Sequence, residues 1–276
     1  MRITRLGQGV DATGRLAPEA VDRCLAVLAE FREVMDRLGV VRGRLVATSA
    51  ARDAANGAEF LEAAGERSGL VPELLSGEDE GRLSMAGAVA DLDLADGPFL
   101  VLDIGGGSTE LVAADGPDDP ELAAESLQMG CVRMTERFLV DDPPSSDQLA
   151  AARAEVDSQL DSAVGAHPRY LDARRLVGLA GTVTTLASLD LGLATYDRDR
   201  VHHAVLSAAA VGAWLARLAA DDASTRLARP GMVPGREDVI VGGALILDAV
   251  LQRFDFAECL VSEADILDGL VASQLG

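Results

Sequence analysis

The stretch Asp103-Ile104-Gly105-Gly106-Gly107-Ser108-Thr109-Glu110 gathers two carboxylates, two hydroxyls and three side-chain-free amides into one short run. It lies between Phe99-Leu100-Val101-Leu102 and Leu111-Val112-Ala113, apolar runs of strand length and composition. The glycines are therefore predicted to form the tight turn of a β-hairpin. Glycine can adopt positive φ, and without a Cβ it lets backbone N–H groups close on an oxyanion. Two familiar glycine-rich alternatives fit less well. A nucleotide-binding P-loop needs a Lys after its last Gly, and a dinucleotide fingerprint needs a helix to open there, whereas Ser108-Thr109-Glu110 leads into a strand. An ordinary hairpin turn would need neither Asp103 nor Glu110 beside it. The set reads instead as phosphate and metal chemistry.

Working outward, helix and strand alternate. Pro18 stands at a first helical position, and Val21, Leu25, Leu28, Phe31 and Met35 recur at helical spacing until Gly39 closes the helix. Leu45-Val46-Ala47 is a short buried strand that exits into Thr48-Ser49-Ala50-Ala51-Arg52-Asp53, followed by a helix over 58–67. A strand around 72–75 ends at Ser76-Gly77. Glu78-Asp79-Glu80 then begins a helix, where acidic residues suit the positive end of the dipole. The polar 93–98 connection, with its Gly-Pro, is the best domain boundary, giving domains 1–96 and 97–276.

Beyond the hairpin, a loop containing Pro143-Pro144-Ser145-Ser146 can cap a long helix over 147–164. Leu176-Val177-Gly178-Leu179 is a buried strand running into Ala180-Gly181-Thr182-Val183-Thr184, a turn and hydroxyl-rich helix start that makes a second anion cradle or a plainly capped helix. Pro234-Gly235-Arg236-Glu237-Asp238 opens a helix carrying Gly242-Gly243. Leu260-Val261-Ser262 is a last strand, and 264–275 a closing amphipathic helix.

Composition bounds the function. The chain has 276 residues, 49% of them hydrophobic and only 3% aromatic, so its core is mostly Ala, Leu and Val. No window approaches the ~20 uninterrupted apolar residues of a membrane span, and Met1-Arg2-Ile3-Thr4-Arg5 leads into no signal core, so a cytoplasmic protein is expected. Cys24, Cys131 and Cys259 are in no metal-ligand spacing and read as buried free thiols. His202-His203 reads as packing rather than as a ligand set. Any divalent ion here would be a hard one held by oxygens, which points to magnesium. A formal charge of −21 opposes nucleic-acid binding, so a phosphate substrate needs a local exception. The basic residues are all arginine, and Arg52, Arg82 and Arg236 each stand beside a motif, where guanidinium forks can grip phosphate.

Six segments, in matching order and spacing almost from end to end, resemble the exopolyphosphatase and guanosine pentaphosphate phosphatase (Ppx/GppA) family of the actin-like ATPase and sugar-kinase superfamily. They are Arg5 to Val10, Ala47 to Arg52, Ser76 to Leu83, Asp103 to Glu110, Ala180 to Ala187 and Gly235 to Ile240. The likeness is to the short, two-domain form. It implies an α/β fold of two actin-like (ribonuclease H-like) domains with a cleft between them, the last helix packing back on the first domain. It also implies a magnesium-dependent hydrolase that takes terminal phosphate from inorganic polyphosphate or guanosine pentaphosphate, with no nucleic-acid or membrane partner; a homodimer is entertained.

The resemblance assigns roles as well. Glu80 would be the general base, Asp103 a metal ligand, and Glu110 an aid to both water and ion. The amides of Gly105, Gly106 and Gly107, with Ser108 and Thr109, would hold phosphoryl oxygens. Arg52 would neutralise a phosphate from the opposite domain, and Arg82, Gly181, Thr182 and Arg236 would add further phosphate contacts. Taken without the resemblance, Glu80 is an ordinary first-turn acid.

Family members also begin with a strand and an Asp-x-Gly-Thr/Ser-Asn-Ser loop ahead of the segment that here starts near Arg5. The first domain is accordingly expected to be truncated at its N-terminus and to lack that loop. Three readings follow: an exopolyphosphatase, a guanosine pentaphosphate phosphohydrolase, or a non-catalytic phosphate-binding protein.

Overall fold

The computed structural model describes residue 2 and residues 4–275; of the opening segment, Met1 and Ile3 lie outside the described residues, as does Gly276. The chain divides into two compact units at Gly77. In the first, α1 (Val10–Thr13), α2 (Pro18–Leu38), α3 (Ser49–Asp53) and α4 (Gly57–Ser68) accompany two strands, β1 (Leu45–Ala47) and β2 (Pro72–Leu74), paired in parallel. Pro18 does open α2, and Gly39 closes it in a left-handed conformation, its N–H returning to the carbonyls of Asp36 and Met35. A small core of Val10, Leu16, Ala51, Ala54, Phe60 and Ala64 holds this unit together.

The second unit opens with α5 (Gly77–Ala88) and contains β3 (Phe99–Ile104), β4 (Thr109–Ala114), β5 (Ala123–Leu127), α6 (Cys131–Phe138), α7 (Ser146–Ala166), β6 (Arg175–Leu179) and α8 (Ala180–Asp190). It continues with α9 (Arg198–Val201), β7 (Val205–Ser207), α10 (Ala208–Ala220), α11 (Ala223–Leu227), α12 (Ile240–Arg253), β8 (Glu258–Val261) and α13 (Ile266–Ala272). Six strands form one open sheet in the order β5-β4-β3-β6-β8-β7. The β3–β4–β5 meander is antiparallel, β6 and β8 lie parallel to β3's direction, and β7 returns antiparallel at the edge. Every hydrophobic residue of β3 is buried because the sheet is covered on both faces.

Strand alternation sorts the side chains of the hairpin. Leu100, Leu102 and Leu111 join the larger core with Met134, Val156, Leu160 and Ile246 from α6, α7 and α12. Phe99, Val101 and Val112 pack with Met85, Ala88 and Val89 from α5 and the turn after it. The helix bearing Glu80 thus belongs with the hairpin's unit, although sequence reading draws the boundary later, in the 93–98 connection. The reason is physical: α5's apolar stripe has this sheet face to bury against. The last helix, α13, closes on α5, where a Cβ on Gly269 would lie 2.1 Å from the Leu83 carbonyl. Among the described residues no helix is long and apolar enough to cross a membrane.

Candidate active site

The β3–β4 register sets Asp103 directly opposite Glu110. Side chains opposed across an antiparallel pair have Cβ atoms roughly 4.5–5.5 Å apart. By alternation both point to the face that α5 covers. Glu110 is 2% exposed, and its Oε1 accepts from the Ser108 hydroxyl at 2.7 Å and the Ser126 hydroxyl at 2.8 Å. Ser126 is brought there by β5, whose register pairs it with Glu110. Burial, then the neighbouring Glu110 and Asp265, push the Asp103 carboxyl up from its ordinary value toward neutrality, while the Ser84 hydroxyl, donating at 3.4 Å, opposes the shift. Asp265, which caps α13, was not singled out from the sequence. It stands far from the hairpin in the chain, and only the fold brings it to Asp103.

Glu80 is 6% exposed and lies in the first turn of α5, on the face turned inward. Ser84, four residues on along the same stripe, is the residue that reaches Asp103. Glu80 therefore shares one helix face with the group that touches the acid pair. Arg82 projects the other way and forms an exposed i,i+4 ion pair with Glu78 at 3.1 Å, so its guanidinium serves the helix surface. Arg52 lies in the first unit, where its Nη1 donates to the Leu75 carbonyl at 2.9 Å.

The glycine turn is built differently from the sequence expectation. None of Gly105, Gly106 and Gly107 adopts the left-handed conformation. The Gly105 amide is used inside the turn, donating to Ser108 O at 3.0 Å. The carbonyls of the three glycines face the start of α6. Cys131 N donates to Gly105 O, Val132 N to Gly106 O, and Gly130 N and Arg133 Nε to Gly107 O. These helix-start amides would otherwise be orphans. A trans peptide unit carries its C=O and the following N–H in opposite directions, so the amides of Gly106, Gly107 and Ser108 point away from α6. The hydroxyls are engaged within the protein: Ser108 donates to Glu110, and Thr109, on the opposite face of β4, donates to Met129 O at 2.5 Å.

The turn read as a second cradle lies where β6 enters α8. Ala180 is left-handed at φ 62, and the guanidinium of Arg236 occupies the space beside Gly181, within 1.8–2.0 Å of where a Cβ would stand. Burial draws Arg236 below its ordinary value, while Cys131 and Tyr196 alongside oppose that shift. Thr182 is 1% exposed, and its hydroxyl hydrogen-bonds the Cys131 thiol, which burial pushes up. Cys131 thus touches both loops, its amide on Gly105 O and its thiol beside Thr182 and Arg236. Sequence reading gave it only as a buried free thiol. It is that as well, as is Cys259, whereas Cys24 is half-buried.

A six-stranded sheet in this order, with a glycine hairpin and an acid pair at the rim of its central strands, is an actin-like ATPase-type domain. A sequence model of the Ppx/GppA phosphatase family matches residues 1–276. Exopolyphosphatase 2 of Mycobacterium tuberculosis is 40% identical over 284 residues, an alignment taking in 100% of this chain and 88% of that protein. The crystal structure of an exopolyphosphatase-like protein matches with a TM-score of 0.92 at 37% identity, covering 99% of this chain and 89% of that one. The Ppx/GppA family member of Aquifex aeolicus matches with a TM-score of 0.80 at 32% identity, over 99% and 87% of the two chains. The chain belongs to the Ppx/GppA phosphatase family.

Proposed function

We propose that this protein is a phosphoric anhydride hydrolase that removes the terminal phosphate of inorganic polyphosphate. The observation that carries the reading is the in-register Asp103–Glu110 pair, held on the face that the Glu80 helix covers. Its relatives support the choice of substrate: the family is one of phosphatases, and the 40% identical relative is named an exopolyphosphatase.

The donors fit magnesium. Asp103 and Glu110 offer only hard oxygen ligands, and their mutual repulsion, with Asp265 nearby, is the strain a cation relieves. When bound, the ion supplies positive charge to the phosphoryl oxygens. The protein's own groups do the rest. Amides of Gly106, Gly107 and Ser108 donate to the oxygens where charge accumulates. Arg236, seated beside Gly181, holds the adjoining phosphates by charge-assisted bonds, while the buried Thr182 hydroxyl stays on the Cys131 thiol. Glu80 accepts a proton as water attacks the terminal phosphorus; the bridging P–O bond breaks, releasing orthophosphate and a chain one unit shorter. The hydroxyls of Ser108 and Ser126 keep Glu110 oriented and need not touch substrate.

The test is orthophosphate release from long polyphosphate with magnesium. Glu80→Gln is expected to lower kcat by about a hundredfold to ten-thousandfold while polyphosphate binding changes little. Undiminished turnover removes Glu80 from its role, and saturable binding without any release by the unaltered protein points to the non-catalytic reading. Guanosine pentaphosphate offered at equal concentration decides between the two substrates.

A further inference from the structure

The turn that ends α5 and the turn between α9 and β7 meet at three side chains that the hydrolytic site does not use. His202 Nε2 lies 2.9 Å and His203 Nε2 3.5 Å from the same Asp91 oxygen. All three candidate ligand atoms fall within 4.8 Å of one another. We propose that Asp91, His202 and His203 form a surface site for a borderline divalent transition metal, zinc being the natural probe. Two imidazoles and one carboxylate are zinc's preferred donors rather than magnesium's. For bonds of 2.0–2.1 Å a tetrahedral ion needs its ligand atoms about 3.3 Å apart, and the two measured separations bracket that value.

The backbone explains how consecutive residues can act together. Side chains of neighbours in an extended chain point to opposite sides. His203 instead adopts φ 61, which brings its ring onto that of His202, stacked at 3.9 Å between centroids. Its amide is pinned to Val261 O at 2.7 Å, so the pair is mounted on β8. One feature limits affinity. The Glu263 amide donates to His202 Nδ1 at 3.1 Å, so in the free protein the neutral ring carries its proton on Nε2, toward Asp91. An ion at Nε2 takes that proton's place, the ring's proton moves to Nδ1, and the Glu263 amide must let go. Weakened, reversible binding is the consequence. An occupied site would tie the end of the Glu80 helix to the sheet.

Zinc binding to the full chain, freed of any affinity tag, is measured by equilibrium dialysis, with thermal unfolding in parallel. Asp91→Asn and His203→Asn are the variants, the latter because Asn tolerates the left-handed backbone. Expected is one zinc ion per chain, a Tm raised by zinc in the unaltered protein only, and binding weakened at least tenfold in each variant. Equal binding by wild type and both variants overturns the proposal, as does absence of binding, or its loss in Cys24→Ser instead. Each variant must unfold at the wild-type temperature without zinc; where one does not, the other decides.

Discussion

Asp103 occupies a position where a carboxylate is costly, with Glu110 across the strand and Asp265 nearby, and the long Ser84 contact balances them weakly. Its carboxyl is raised in the folded protein, so the folded state binds that proton more tightly than the unfolded chain does. Stability from this group is then greatest below the ordinary carboxylate range and is lost as pH rises through the folded value, toward neutrality. Asparagine carries no such liability. In magnesium-free buffer Asp103→Asn is expected to raise Tm by more at about pH 8 than at about pH 5, where only the first part of the loss has set in, by roughly 2–4 °C for each kcal/mol of repulsion relieved. Turnover should fall in the same variant. A Tm change that is the same at both pH values would show that the acid pair does not repel. Other partners of this cluster were hidden from the sequence. The Ser126 hydroxyl reaches Glu110 only through the β4–β5 pairing, and Asp265 through the closing of α13 on α5, so neither spacing along the chain betrays them.

Helix α6 is the element that grips the glycine hairpin by its carbonyls, and Gly130 permits its approach. A Cβ there would lie 2.2 Å from Gly106 O and 2.5 Å from Gly107 N, both backbone atoms that cannot swing aside. Gly130→Ala is expected to destabilise the protein by about 1–3 kcal/mol and to reduce turnover, because the helix start must back off the loop. Gly165→Ala, inside α7 where nothing lies within 4 Å, is the matched control and is expected to stabilise by roughly 0.5–1 kcal/mol. Urea unfolding separates the two; equal effects would mean that the contact at Gly130 is not tight. Elements with local signals were legible. Pro18 and Gly39 bracket α2, the capping box of Ser145 with Gln148 starts α7, and the unbroken apolar run of β3 marks a strand buried on both faces. Helix α6 gave no such signal. No side chain caps it, since its cap is the carbonyl row of a loop in another part of the fold. The alanine-rich β5 lacks a clear alternation, and its role depends on which strand it joins. The segment 234–238, expected to open a helix, is a turn; α12 begins at Ile240, once the loop has delivered Arg236 to Gly181.

At the scale of the molecule, a net charge of −21 and the proposed polyanionic substrate are reconciled locally. Arg236 and the amides of the glycine turn concentrate donors in the same unit that holds the acid pair, so the long-range field need not favour phosphate for the site to do so. Building such a site requires a rigid mounting, and the two units differ in what they can offer. The second has a six-stranded sheet whose central strands are fully covered, with cores on both faces. The first has two paired strands of three residues, and every residue of β1 retains partial exposure. Local opening free energy follows buried apolar contact and ladder length. Amide hydrogen exchange should therefore divide along the chain. Amides of Val101, Leu102 and Val177 in β3 and β6 are expected to exchange only on global unfolding, whereas those of Val46 and Leu74 should exchange at least about a hundredfold faster through local opening. Equal protection of β1 and β3 would mean that the first unit draws stability from something other than its own small core and short sheet.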